Sequence, residues 1–350
     1  MIELSSKGIR LSFDPDLGMI QSFHVSDGEK EIAPLHVAPW VGSSETLPDD
    51  IAPHLKKLGG DFFCAPFGGT EGGSALHGWP ANSSWRVLKH TGDHLRVELR
   101  RRVFGATLCK EITLRPNHPF VYQRHVFSGG DGHVPVANHA NVALPNGGAI
   151  RTSPKLCWKT PNVALETDPN LGRSGLVYPA ESPSLAAFPG IGGDLDLTRY
   201  PWFPNHEDFV IGLEASGHEL GWTAVTRPVE GDLFLSLRAA SALPMTMLWH
   251  SNGGRDYPPW SGRHFGCLGV EEGAAGHILN SQSTDEASRV GGVALTPTDT
   301  IEVAHVIGAI PWPSGSAVRS IDLVGDRLRI CGAGEESVSV PIEADMISST

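Results

Sequence analysis

At 350 residues with a formal net charge of −12 and no run of Lys or Arg, the chain lacks the basic stripe that nucleic acid or an anionic membrane surface requires. Gly (41) and Pro (27) are abundant while Asp, Glu, Lys and Arg together make up 19%, which describes a turn-rich protein with a large core to fill. Five scattered cysteines, Cys64, Cys109, Cys157, Cys267 and Cys331, without C-x-x-C spacing, argue against a disulfide framework and a structural zinc site.

The start, Met-Ile-Glu-Leu-Ser-Ser-Lys, has no apolar secretory segment, and no apolar run reaches 18 residues. The expectation is a cytoplasmic protein in which the Asn82-Ser-Ser sequon carries no glycosylation meaning.

From the N-terminus the dominant pattern is period two, the signature of strands with one buried face. It runs through residues 9–13, 85–89, 94–100, 106–114 and 120–127, separated by Thr91-Gly-Asp93, Phe104-Gly-Ala106 and Pro116-Asn-His-Pro119. That spacing predicts consecutive antiparallel hairpins. The best helical candidate, residues 50–58, spans only about two turns. Residues 160–205, thick with Pro, Gly and Asp, predict long loops over one face. The C-terminal third returns to strands at 292–295, 300–308, 321–330 and 338–342, with Gly325-Asp326 as a hairpin turn. No repeat and no low-complexity linker interrupts the chain, so residues 1–350 read as a single all-β domain of antiparallel sheets, with long loops and few short helices.

Three segments carry chemistry. The glycine-rich stretch 60–80 lets backbone approach a ligand closely and then presents His77 and Trp79 at a turn. An imidazole beside an indole suits a sugar, whose C–H face stacks on the aromatic ring while its hydroxyls hydrogen-bond at the rim. The second segment is Val136-Ala-Asn-His139-Ala-Asn, where Asn138 and Asn141 flank a histidine whose tautomer they can fix. The third is a polar, aromatic loop from Trp249 through Arg255, Trp260 and Arg263, running into Cys267-Leu-Gly-Val and the acids Glu271 and Glu272. Acids closing an apolar run are costly to bury without purpose. Two imidazoles and a carboxylate make a proton-transfer kit without a nucleophile.

Leu76-His77-Gly78, Asn138-His139 and Glu271, in this order, resemble the aldose 1-epimerase, or galactose mutarotase-like, family, and the resemblance covers residues from about 10 to 310. It implies a β-supersandwich fold and a small-molecule sugar substrate. It also implies catalysis in which Glu271, or Glu272 one register on, takes the anomeric hydroxyl proton while protonated His139 gives one to the ring oxygen. His77 would orient the ring-oxygen region. That chemistry requires no metal or organic cofactor. It needs an ionised carboxylate and a protonated imidazole near neutral pH, a state that their mutual attraction would favour. Trp79, Asn138, Trp249, Arg255 and Trp260 complete the expected binding set, in a monomer or homodimer.

Two departures bear on the sugar. The region Pro66-Phe-Gly-Gly-Thr-Glu-Gly-Gly before the Leu-His-Gly turn lacks the Arg of the family's Asn-Arg pair, and Ala140-Asn141-Val142 replaces the family's Tyr-Phe, so Arg255 or Arg263 is the candidate cation. The alternative reading is a sugar-binding or sensing module without turnover on the same fold. A metal-dependent isomerase using His133, His139, His250 and His264 is disfavoured, because neither H-x-H nor H-E-x-x-H is present. G-x-S-x-G and strand-linked G-x-G-x-x-G motifs are absent as well, which removes a serine hydrolase and a dinucleotide site.

Overall fold

A computed structural model describes residues 1–28, 30–279 and 290–347. Strand accounts for 51% and helix for 4%, so the all-β expectation holds. The described α-helices are the short Pro53–Lys56 and Gly78–Asn82. The first is half the length expected for 50–58, since Pro53 opens it and the chain leaves helical geometry at Lys57. No helix among the described residues is long and apolar enough to cross a membrane.

Two large antiparallel sheets pack face to face. One has eleven strands, with Asp61–Cys64, Val136–Ala143, Cys267–Ala274, Met245–Asn252 and His206–Glu214 adjacent at its centre. The other has nine strands and runs from Arg199–Tyr200 through Leu220–Arg227, Asp232–Ala239, Thr300–Pro311 and Phe120–Ser128 to Trp85–His90. A three-stranded C-terminal sheet, Val318–Val324, Arg327–Gly332 and Ser337–Pro341, contributes Ile321, Leu328 and Ile330 to a cluster with Leu233, Leu235 and Leu237. It covers the outer face of the nine-stranded sheet.

Alternation along the five central strands sorts their residues into two cores. Phe63, Val136, Ala140, Val142, Val210, Leu248, Leu268 and Val270 point between the sheets. Phe62, Ala137, Phe209, Ile211, Met247, Trp249 and Cys267 point away from the other sheet into a second cluster, roofed by Trp40, Leu58, Phe67 and Trp260. Both faces are therefore dry. Val136–Ala137–Asn138 continue as an unbroken buried run for that reason.

Residues 160–205 hold only short strands, Glu181–Ser182, Phe188–Gly190, Gly193–Leu195 and Arg199–Tyr200. They differ from loops laid over a face: Leu176, Leu185, Phe188, Leu197 and Trp202 join the cluster between the sheets, because this apolar area is better removed from water than left on a surface.

Charge is also buried between the layers. Arg238, fully buried, reaches Glu272 (Nη1–Oε2 2.9 Å), Glu214 and the Thr246 hydroxyl (2.8 Å). Thr223 and Thr246 donate to the two oxygens of Glu272 at 2.6 and 2.8 Å. This network ties three strands of the eleven-stranded sheet to the nine-stranded sheet. Removing the cation leaves Glu272 buried without a paired charge, while Glu214 keeps Lys155 at 2.7 Å, so Arg238→Ala is expected to lower stability by about 3–5 kcal/mol. Urea unfolding measures it, and an unchanged midpoint and slope would contradict the role given to this network.

Candidate active site

The site grows from one cross-strand register. His139 on Val136–Ala143 lies opposite Glu271 on Cys267–Ala274, and both side chains point to the outer face. His139 Nε2 and Glu271 Oε1 are 3.1 Å apart. Glu272 points the other way, into the Arg238 network, which settles which of the two acids shares a face with His139. Asn138 also points between the sheets, opposite Glu272, and its amide nitrogen and oxygen find no protein partner. The expected binding role of Asn138 fails on alternation alone: a residue next to His139 on a strand cannot share its face.

Aromatic side chains set the orientation of the pair. Phe62, from the neighbouring strand, stacks on the His139 ring at 4.5 Å and 22°. Trp249 meets it edge-on at 5.8 Å and His77 edge-on at 5.7 Å. His77 is held by backbone. Its φ is 71° and that of Gly78 is 72°, and a side chain at Gly78 would meet the Ala65 carbonyl oxygen at 2.0 Å, so the Leu-His-Gly turn needs its glycine. The Gly68 N–H donates to His77 Nδ1 at 3.4 Å, which leaves the ring proton on Nε2. Behind His77 stands His54 at 5.2 Å, whose Nδ1 is 2.8 Å from the Asn82 amide oxygen.

The other predicted binders divide. Trp249 donates its indole N–H to Glu207, which also accepts from Ser251 at 2.9 Å and lies 3.3 Å from Arg255. Arg255 in turn covers the Trp260 ring at 4.6 Å. Arg263 is turned outward to Glu45. Trp79 is not in this cluster: it packs on the core between the sheets with Arg101 over its ring at 4.9 Å. His250 stacks on Trp202 at 5.0 Å and accepts the Trp202 backbone N–H, so the metal-binding histidine set weighed from the sequence does not assemble around it. Phe62, His54 and Glu207 were absent from the sequence expectations. Only Glu207 left a signal, as one of two acids opening the apolar run Phe-Val-Ile-Gly-Leu.

Burial overrides the expected ionisation. It pushes the Glu271 carboxyl well above the usual carboxylate range and holds His139 down to about 3, with His54 a smaller contributor to the latter. The pair rests as a neutral acid beside a neutral imidazole. The predicted ion pair fails because desolvation of both groups exceeds their attraction. Neutral pair and ion pair are nonetheless tautomers with the same proton count, separated by one transfer along the 3.1 Å contact.

No family model and no curated protein matches the chain. Solved structures do. A galactose mutarotase related enzyme from Lactobacillus acidophilus superposes at TM-score 0.56 and 12% identity, over 88% of this chain and 97% of its own. A candidate aldose 1-epimerase from Escherichia coli K12 gives 0.57 and 14%, over 88% and 98%. A galactose mutarotase-like protein from Lactobacillus casei gives 0.53 and 12%, over 89% and 100%. The chain has the galactose mutarotase-like fold. At these identities the likeness carries the architecture, and activity is a question for the His139–Glu271 pair itself.

The depressed histidines on this outer face make stability depend on pH. Folded His139 and His54 stay neutral down to about 3 and about 4, whereas unfolded histidine titrates near ~6.5. At these two histidines the unfolded chain therefore binds protons that the folded chain does not, a contribution to stability that is lost as pH drops through that window and that the raised Glu271 carboxyl, protonated only in the fold, opposes. Between pH 7 and pH 5 the urea midpoint of wild type should lose more, relative to that of His139→Gln, because only wild type carries the His139 contribution. Equal losses for the two proteins would contradict the burial argument.

Proposed function

We propose that the protein interconverts sugar anomers as an aldose 1-epimerase-like enzyme, with His139 and Glu271 as its acid and base. The observation that carries this reading is the pair itself: a carboxyl and an imidazole 3.1 Å apart, held by Phe62, His77 and Trp249 on the outer face of the sheet. The anomeric and ring oxygens of a pyranose are bonded to one carbon, so acid and base must stand close together to serve both. A cross-strand pair does so.

The step balances within the pair. In the ion-pair tautomer Glu271 takes the proton of the C1 hydroxyl while His139 Nε2–H protonates the ring oxygen. The C1–ring-oxygen bond breaks and C1 becomes a carbonyl. Glu271 is then a neutral acid and His139 a neutral imidazole, the resting state that burial favours. Rotation about C1–C2 and the reverse transfers close the ring on the other face. His77, with its ring proton on Nε2, serves as a donor to the sugar, Trp249 as the apolar wall, and Arg255 as the cation, backed by Trp260. Asn138 and Trp79 have no part in it. Neutral sugars need no other charge.

Saturation-transfer NMR between anomer signals of pure sugars tests the proposal. Wild type should convert at least one aldose, and Glu271→Gln and His139→Asn should each lower kcat/KM by about 10²–10⁴-fold with near-UV circular dichroism unchanged. Undiminished conversion in both variants, or binding without conversion in wild type, would favour the sugar-binding reading. The acid limb of the kcat/KM profile should lie well below the ordinary histidine value, since His139 resists protonation to about 3. A limb at ~6.5 would contradict a buried catalytic imidazole.

A further inference from the structure

Around His264, which stacks on the Trp249 indole at 5.7 Å, three ligating side chains from separate segments converge. His36 follows the short strand Lys30–Ile32, His264 ends the loop after Met245–Asn252, and Cys267 opens the strand that carries Glu271. One ligand atom of each lies within 4.8 Å of the other two. We infer that His36, His264 and Cys267 form a binding site for one divalent transition metal ion of the zinc class, with a fourth position left for water or a ligand atom.

Proton placement supports it. Ser251 uses its only hydroxyl proton on Glu207 at 2.9 Å, so at its 2.7 Å contact with His264 Nδ1 the serine oxygen accepts. His264 therefore carries its proton on Nδ1 and presents the Nε2 lone pair toward His36, whose own Nε2 is 3.1 Å away. Two imidazole nitrogens sharing a tetrahedral zinc at ~2.0–2.1 Å stand roughly 3.3 Å apart, close to the observed separation. The chain Glu207–Ser251–His264 is the outer-shell arrangement that fixes a ligating histidine's tautomer.

The donor set selects the ion. Two imidazoles and a thiolate suit zinc and its neighbours and are poor ligands for calcium or magnesium. His264 and Cys267 are buried while His36 is only partly buried, which leaves the ion a way in. On binding, Cys267 releases its thiol proton to solvent and His36 carries its ring proton on Nδ1. Closing the 4.8 Å spread needs a movement of about 1 Å by the outlying donor. The ion would pin the His36 segment to the sheet beside the proposed sugar site, and this inference does not depend on that site's chemistry.

The test is titration of chelator-treated full-length protein with Co²⁺, followed by displacement with Zn²⁺. Wild type should take up one equivalent and show near-ultraviolet thiolate-to-cobalt absorption that zinc removes. Cys267→Ser should lose that band. His36→Gln, at a partly buried position outside the hydrophobic clusters, should weaken cobalt binding by about tenfold or more, since even outer-shell losses cost 10–100-fold. Folded wild type that takes up neither metal, or wild-type affinity retained in His36→Gln, would overturn the site.

Discussion

Alternation in the five central strands of the eleven-stranded sheet is the constraint on which the rest depends. Because successive side chains leave a strand on opposite faces, Asn138 and Glu272 are committed to the interior between the sheets by the same geometry that commits His139 and Glu271 to the outer face. A slip of one residue in Val136–Ala143 would bury His139 between the sheets, and a slip in Cys267–Ala274 would put Glu271 into the inter-sheet core and the Arg238 partner Glu272 outside. The buried Arg238–Glu272 contact makes that slip costly, so a polar interaction remote from the ligand face holds the register of the candidate catalytic pair.

The chemistry follows from the dryness of that outer face. With Phe62, Met247, Trp249 and Cys267 around it, the His139–Glu271 pair has little solvation to support charge, and burial drives both members toward neutrality. Such a pair keeps one mobile proton in reserve at a fixed distance. It can act as acid and base in one step while changing its net charge at no stage, which suits a reaction that redistributes protons on a neutral molecule.

The legible part of the sequence was the half with water on one side. The Trp85–Leu99 hairpin and the C-terminal Val318–Gly332 pair were read from period two and turn residues, because one face of each reaches water, whereas Phe120–Ser128 was read from polar residues that the fold buries, Gln123 and His125. His206–Glu214, Leu220–Arg227, Asp232–Ala239 and Met245–Asn252 are buried on both faces, show no alternation, and escaped notice. Trp249 consequently read as a loop residue. His77, His139 and Glu271 were found through short motifs, and the structure brings His77 and Glu271 to either side of His139. The His36–His264–Cys267 cluster had no such signal, since its members lie 228 and 3 positions apart and share no spacing motif.

The account stands on His139 and Glu271 working as one unit. The most direct measurement is a double-substitution cycle on anomer conversion, comparing His139→Asn, Glu271→Gln and the combined variant. Groups that share one proton lose nearly everything with the first substitution, so the combined variant should convert about as slowly as either single one. Losses that multiply across the two positions would show that the two side chains act independently, and would contradict the account.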